Sequence, residues 1–200
     1  ENHHNKNLHL INELKNATPP QKIMSDIGKG YIHIYTGNGT GKTTAALGLA
    51  LRAAGSGLKV CIVQFMKGRH YSELDAVRLM QGRVTIEQYG HPTFCRFTDP
   101  PDPKDVSRAR DAFDRLRDIM TSKSCDVLIA DEIVTAVKFS LIAEREVLEL
   151  MNSRPDGMEL VLTGRGATQG LIDAADLVTE MREVKHYYTK GVPARRGIES

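Results

Sequence analysis

The chain contains no tryptophan, and its 200 residues include only 5 Phe and 6 Tyr. Large apolar rings are therefore scarce, and any role that needs one falls on few positions. Cysteine is scarce too: there are 3, with no Cys-x-x-Cys pair. That spacing excludes a disulfide framework and a zinc site of the common kinds. A charge of one sign is also lacking. Lys+Arg 27 against Asp+Glu 25 leaves +2. A bulk nucleic-acid binder normally shows a clear basic excess, so that class is disfavoured. No apolar run approaches the roughly 20 residues that a membrane helix needs. The first residues are polar and carry no signal-peptide h-region, which makes the cytoplasm the expected location. What is present is ordinary for a globular protein: 40% hydrophobic and 26% charged residues. This excludes a collagen-like or wholly disordered chain and supplies a sizeable core. The length predicts one domain, or one domain with an arm.

Residues 1–30 differ from the rest. They are rich in His, Asn and Lys, and include Thr18-Pro19-Pro20. A short helical pattern, Leu8, Leu10, Ile11 and Leu14, lies within them. They read as an N-terminal arm before a domain spanning residues 31–200. From Tyr31 the chain alternates apolar strands with amphipathic helices. Strands are predicted at Tyr31–Tyr35, Lys59–Phe65, Val84–Tyr89, Asp126–Ala130, Glu159–Leu162 and Leu177–Met181. Helices are predicted at Thr43–Ala54, Ser72–Met80 and Asp105 to about Ser122, as helical segments following the fourth strand to about Asn152, and at Gln169–Ala174. His91 to Pro103 carries four prolines and reads as a loop. The tail from Val184 is basic. Cys61 and Cys125 belong to apolar stretches and are expected buried and reduced; Cys95 lies in the loop. Strands that are apolar throughout and alternate with helices imply a parallel sheet covered on both faces. The expected class is α/β, a three-layer P-loop NTPase-like (RecA-like) fold. Ligand sites in such sheets lie beyond the strand C-terminal ends.

The most specific motif is Thr36-Gly37-Asn38-Gly39-Thr40-Gly41-Lys42-Thr43-Thr44, set between a strand and a helix. Its glycines let backbone N–H groups turn inward, and these join the positive end of the helix to cradle phosphate. Lys42 supplies a point charge, and the Thr43 hydroxyl is a ligand for Mg²⁺. The usual spacing would place the first glycine at Thr36, yet the glycines fall at Gly37, Gly39 and Gly41. A more open loop with an altered path is expected. The acidic partner is Asp131-Glu132, at the end of Asp126-Val127-Leu128-Ile129-Ala130. An acidic residue at that strand end holds the metal directly or through water. Spacing does not choose between Asp131 and Glu132.

Taken in order, YTGNGTGKTTAALGLALRAAGSG, VQFMKG, DVLIADE, RPDGMELVLTGRGA and ADLVTEMREVKHYYTKGVPARRGIE resemble the CobA/BtuR-type ATP:corrinoid adenosyltransferases. The resemblance implies MgATP (or the Mn²⁺ form) and a reduced corrinoid, cobalamin or a precursor, as ligands. It implies that Co(I) attacks the ribose five-prime carbon and that triphosphate leaves. It places Arg52, Gln64, Lys67 with Gly68, and Arg165 near nucleotide or corrinoid, and gives Lys185 and His186 a tail motif of unassigned role. Members lower the barrier to Co(I) by setting apolar aromatic side chains against the lower corrin face. Enteric members carry a Phe-Thr-Trp run there; this chain reads Gly90-His91-Pro92-Thr93-Phe94-Cys95-Arg96-Phe97. Phe94 is the first candidate wedge and Phe97 the second, while His91 reads as a loop residue rather than a cobalt ligand. The resemblance also implies a homodimer whose arm covers a neighbour's corrinoid site, and a reducing flavoprotein as a candidate partner. Two other classes fit the bare motifs: a RecA-like ATPase, and a corrinoid carrier or chaperone without turnover.

Overall fold

The computed structural model describes residues 27–92 and 100–199. Readings that fall on the arm before Ile27, and on Phe94, Cys95 and Phe97, lie outside the described residues. In chain order the elements are β1 (Ile32–Thr36), α1 (Lys42–Gly55), β2 (Val60–Phe65), α2 (Glu73–Arg78), β3 (Val84–Tyr89) and α3 (Pro103–Ser122). Then come β4 (Val127–Asp131), α4 (Ile133–Lys138), α5 (Glu144–Asn152), β5 (Glu159–Thr163), α6 (Gln169–Ala174) and β6 (Leu177–Glu180). A short 3₁₀ turn at Tyr187–Lys190 follows.

The six strands form one parallel sheet in the order β3-β2-β4-β5-β1-β6. β2 and β4 are buried at every position, as strands covered on both faces must be. One face packs Ile34, Val63, Phe65, Leu128 and Leu160 against Phe113, Leu116 and Ile119 of α3 and Ile133 of α4. The other packs Ile62, Ile129 and Val161 against Ala46, Ala50 and Ala53 of α1. Alanines at that spacing keep one stripe of α1 narrow, so the helix lies close over the sheet. The result is three layers. β5 is inserted between β1, which carries the phosphate loop, and the acidic strand β4, the RecA-like arrangement expected from sequence.

α3 starts two residues earlier than the periodicity predicts. Asp102 accepts from the Lys104 N–H at 2.8 Å, and Pro103 takes the first helical position. Proline fits there because its missing N–H has no intrahelical partner to lose. Cys61 and Cys125 are buried and free, as expected. Among the described residues no helix is long and apolar enough to cross a membrane.

Because all strands run one way, their C-terminal ends share one edge. The register sets Gln64 beside Asp131 and Tyr35 beside Thr163. That edge carries the phosphate loop, the loop after β2, the acidic pair and the loop after β5.

Candidate functional site

The phosphate loop is shaped by the end of β6. Thr36 closes β1 buried, and its carbonyl accepts from the Met181 N–H at 2.8 Å. Gly39 N–H donates back to the Met181 carbonyl at 2.7 Å. A Cβ at Gly37 would stand 2.5 Å from that same carbonyl oxygen, and one at Gly39 2.7 Å from it. Neither position admits a side chain. The displaced glycines are thus explained by the chain's own strand lying against the loop. Gly41 then turns at φ 118°, and α1 begins at Lys42. Its first turn carries no acidic residue, so the positive helix end is not neutralised from within.

Lys42 is 6% exposed. Its Nζ donates to the Gly37 carbonyl at 2.8 Å and to the Gly39 carbonyl at 2.7 Å. Burial lowers its pKa from the ordinary lysine value, and the charge of Arg165 adds to this; Glu132 and Asp131 oppose it.

Asp131 is 1% exposed and accepts four hydrogen bonds. Oδ1 takes Thr43 Oγ1 at 2.9 Å and Thr163 Oγ1 at 2.7 Å. Oδ2 takes Gln64 Nε2 at 3.1 Å and Lys67 Nζ at 2.7 Å. Burial works to lower the Lys67 pKa. The charge and hydrogen bond of Asp131, with Glu73 and Glu132 behind them, outweigh it and hold the ammonium above the ordinary value. Glu132 adopts φ 67°, a left-handed conformation that costs a non-glycine residue roughly 1–3 kcal/mol. That turn sends the two acids to different partners. The Glu132 carboxylate accepts from Thr135 Oγ1 at 2.5 Å and faces the cavity, while Asp131 faces Thr43.

The cavity has a volume of about 520 Å³, within the range of small-ligand sites. The phosphate loop from Gly39 to Thr44 forms one wall, with Lys67, Glu132 and Arg165 opposite. Three residues without a sequence signal of their own, Tyr71, Ser72 and Glu73, complete that side. The tail closes another with Gly197, Ile198 and Glu199. Arg195 braces the tail, pairing with Glu199 at 2.9 Å and lying 5.0 Å over the Tyr187 ring. His186 Nδ1 accepts from the Tyr188 N–H at 3.0 Å, so Nε2 carries the hydrogen and donates to Thr40 Oγ1 at 3.2 Å. The tail motif is thereby joined to the phosphate loop.

The family described as ATP:corrinoid adenosyltransferase BtuR/CobO/CobP matches residues 28–200. The chain belongs to that family. It is 33% identical over 171 residues to a corrinoid adenosyltransferase of Escherichia coli (strain K12), covering 86% of each chain. A corrinoid adenosyltransferase of Pseudomonas aeruginosa is 33% identical over 189 residues, 94% of this chain and 92% of that one. Corrinoid adenosyltransferase CobA of Salmonella typhimurium is 32% identical over 171 residues, 86% of each. Among solved structures, a KaiC-like protein of Pyrococcus horikoshii OT3 superposes with a TM-score of 0.49 at 16% identity, over 76% of this chain and 72% of that one.

In this adenosyltransferase the residues expected to meet ligand divide into two groups. Gly39, Thr40, Gly41, Lys42, Thr43, Thr44, Lys67, Glu132 and Arg165 line the cavity. Gly37, Asn38 and Asp131 do not; Gly37 is buried against Met181, Asn38 is exposed at the loop tip, and Asp131 is buried with its oxygens bonded to the lining residues Thr43 and Lys67. Gln64 is fully buried and reaches Asp131, Glu73 and Gln88 instead of the cavity. Arg52 lies in the last turn of α1. Ten residues beyond Lys42 at 1.5 Å each set it about 15 Å along the axis, away from the phosphate loop. The described residues include no cluster of three His, Cys, Asp or Glu side chains fit to cage a metal. The oxygens of Thr43 and Asp131 suit Mg²⁺, which is commonly held by one or two protein oxygens, substrate phosphates and water.

Proposed function

We propose that this chain transfers the adenosyl group of ATP to the Co(I) centre of a reduced corrinoid, cobalamin or a precursor, and releases triphosphate. The observation that carries the reading is the Thr43–Asp131 contact at 2.9 Å beside the phosphate loop, in a chain of the corrinoid adenosyltransferase family. The cobalt electron pair forms the bond to the five-prime carbon. The carbon–oxygen bond breaks, and its electrons leave with triphosphate. No proton is transferred at the reacting atoms, so no protein general base is required.

The chain's part is position and charge. Loop N–H groups and the α1 N-terminus receive the phosphates. Lys42 exchanges the Gly37 and Gly39 carbonyls for phosphate oxygens, and Arg165 adds a second cation across the cavity. Thr43 and Asp131 hold Mg²⁺ or Mn²⁺. That ion supplies neutralisation of the charge gathering on the leaving triphosphate. Glu132, tied by Thr135, stands free of the metal partners and offers an acceptor to the nucleotide. Phe94, with Phe97 second, presses the lower corrin face; a homodimer and a reducing flavoprotein complete the reading.

ATP labelled with carbon-13 at the five-prime position tests the transfer. With chemically reduced cobalamin, the label is expected in a light-sensitive cobalt-bound product. Label retained in ADP, with phosphate released, would assign the chain to the ATPases. Tight binding of adenosylcobalamin without turnover would make it a carrier.

A further inference from the structure

Asp131 is nearly fully buried, and a carboxylate in that position needs a cation beside it. Among the described residues the cation at ion-pair distance is Lys67, at 2.7 Å. Its three companions on Asp131 are fixed. Thr163 and Gln64 are fully buried strand residues, Gln64 being held also by Gln88, and Thr43 sits in the first turn of α1. Lys67 differs. It lies in the loop after β2, behind Met66 at φ 57°, and its side chain reaches into the ligand cavity. Glu73 stands 4.0 Å from its ammonium and the Tyr71 ring 5.3 Å. It is the one donor to Asp131 with both freedom and somewhere else to go.

We propose that Lys67 is a built-in counter-ion: it neutralises Asp131 while the site is empty, yields that carboxylate to the divalent cation, and then turns to the triphosphate. This rests on the reading of the cavity as a metal–nucleotide site. Two cations on one carboxylate repel, so the entering ion displaces the ammonium. The displaced ammonium stays in the cavity that holds Lys42 and the α1 N-terminus, where the phosphate charge gathers. The device makes the metal alone a poor ligand and the metal with ATP a good one. Thus the carboxylate never stands bare, and the free enzyme does not collect metal without substrate.

The test measures Mn²⁺ binding by electron paramagnetic resonance in wild type, Lys67→Gln and Lys67→Met, with and without ATP. Without ATP, both variants are expected to bind Mn²⁺ about tenfold more tightly than wild type, and with ATP to bind the Mn²⁺ complex about tenfold more weakly. A merely damaged site would weaken both. Because the variants lose a buried ion pair, melting is followed as well: Mn²⁺ alone should raise the melting temperature of either variant more than that of wild type. Unchanged or weaker ATP-free Mn²⁺ binding in both variants would overturn the inference while leaving the site reading intact. A wild type that binds no Mn²⁺–ATP at all would overturn the site reading, and this inference with it.

Discussion

Thr43 Oγ1 donates to Asp131 Oδ1 across 2.9 Å, joining the first turn of α1 to the end of β4. The two residues are 88 apart in sequence. Their contact exists because β4 ends two strands from β1 on the same sheet edge. It brings a hydroxyl oxygen and a carboxylate, both hard donors of the kind a divalent cation takes, within one hydrogen bond of each other.

Asp131→Asn keeps an acceptor for Thr43 and Thr163 but removes the charge. Adenosylcobalamin formation from MgATP and supplied Co(I) is expected to fall by about a hundredfold or more. Circular dichroism should still report a folded protein. Activity within a few-fold of wild type would remove Asp131 from the metal site.

Gly39 and Gly48 make a contrasting pair. A Cβ at Gly39 meets the Met181 carbonyl oxygen at 2.7 Å, whereas one at Gly48 meets nothing within 4 Å. Gly39→Ala is expected to cost about 1–3 kcal/mol in denaturant unfolding, because the crowding atoms are backbone. Gly48→Ala lies inside α1 and should stabilise by about 0.5–1 kcal/mol. Equal effects would contradict the account of the loop.

Phe94→Ala addresses the corrinoid side. The expected loss is larger, by about tenfold, when Co(II) must be reduced on the enzyme than when Co(I) is supplied, since the wedge acts on reduction alone; one factor of ten is about 1.4 kcal/mol. Equal losses in the two assays would transfer the role elsewhere, with Phe97→Ala the next variant to measure.

Acid stability should report two surface ion pairs. Hydrogen bonding to Arg115 holds Glu87 below its ordinary pKa, with Tyr89 adding to it, and Arg110 does the same for Glu146. A depressed carboxyl pKa adds stability at neutral pH that is lost as pH falls through about 4.3 and on to the folded value. Arg115 and Glu87 side chains are 40% and 36% exposed, so screening keeps this effect below about 1 kcal/mol. Arg115→Ala should flatten the fall in unfolding free energy below about pH 5. An unchanged slope would show the pair to be silent.

Much of this arrangement was legible in the chain because each piece is local. Apolar runs gave the strands, and Gly41-Lys42-Thr43 between strand and helix gave the phosphate loop. The end of α3 at Ser122 and the span of β3 agree with the periodicity. What escaped depends on tertiary contact. Nothing in Gly37-Asn38-Gly39 announces that Met181 lies against it. Spacing could not choose between Asp131 and Glu132, because the left-handed turn at Glu132 separates them. Gln64 reads as a ligand-edge residue, yet register buries it beside Asp131. Tyr71 and the tail from Gly197 join the cavity only through folding of loops, which carry no periodicity to read, and Ser72 and Glu73 join it at the start of α2, whose periodicity says nothing of a ligand.

The most direct test of the central claim is the stoichiometry of products from MgATP and chemically reduced cobalamin under anaerobic conditions. The account predicts one triphosphate for each light-sensitive adenosylcobalamin formed, with Lys42→Ala sharply reducing both together. ADP and phosphate in place of triphosphate, or no light-sensitive product, would contradict it.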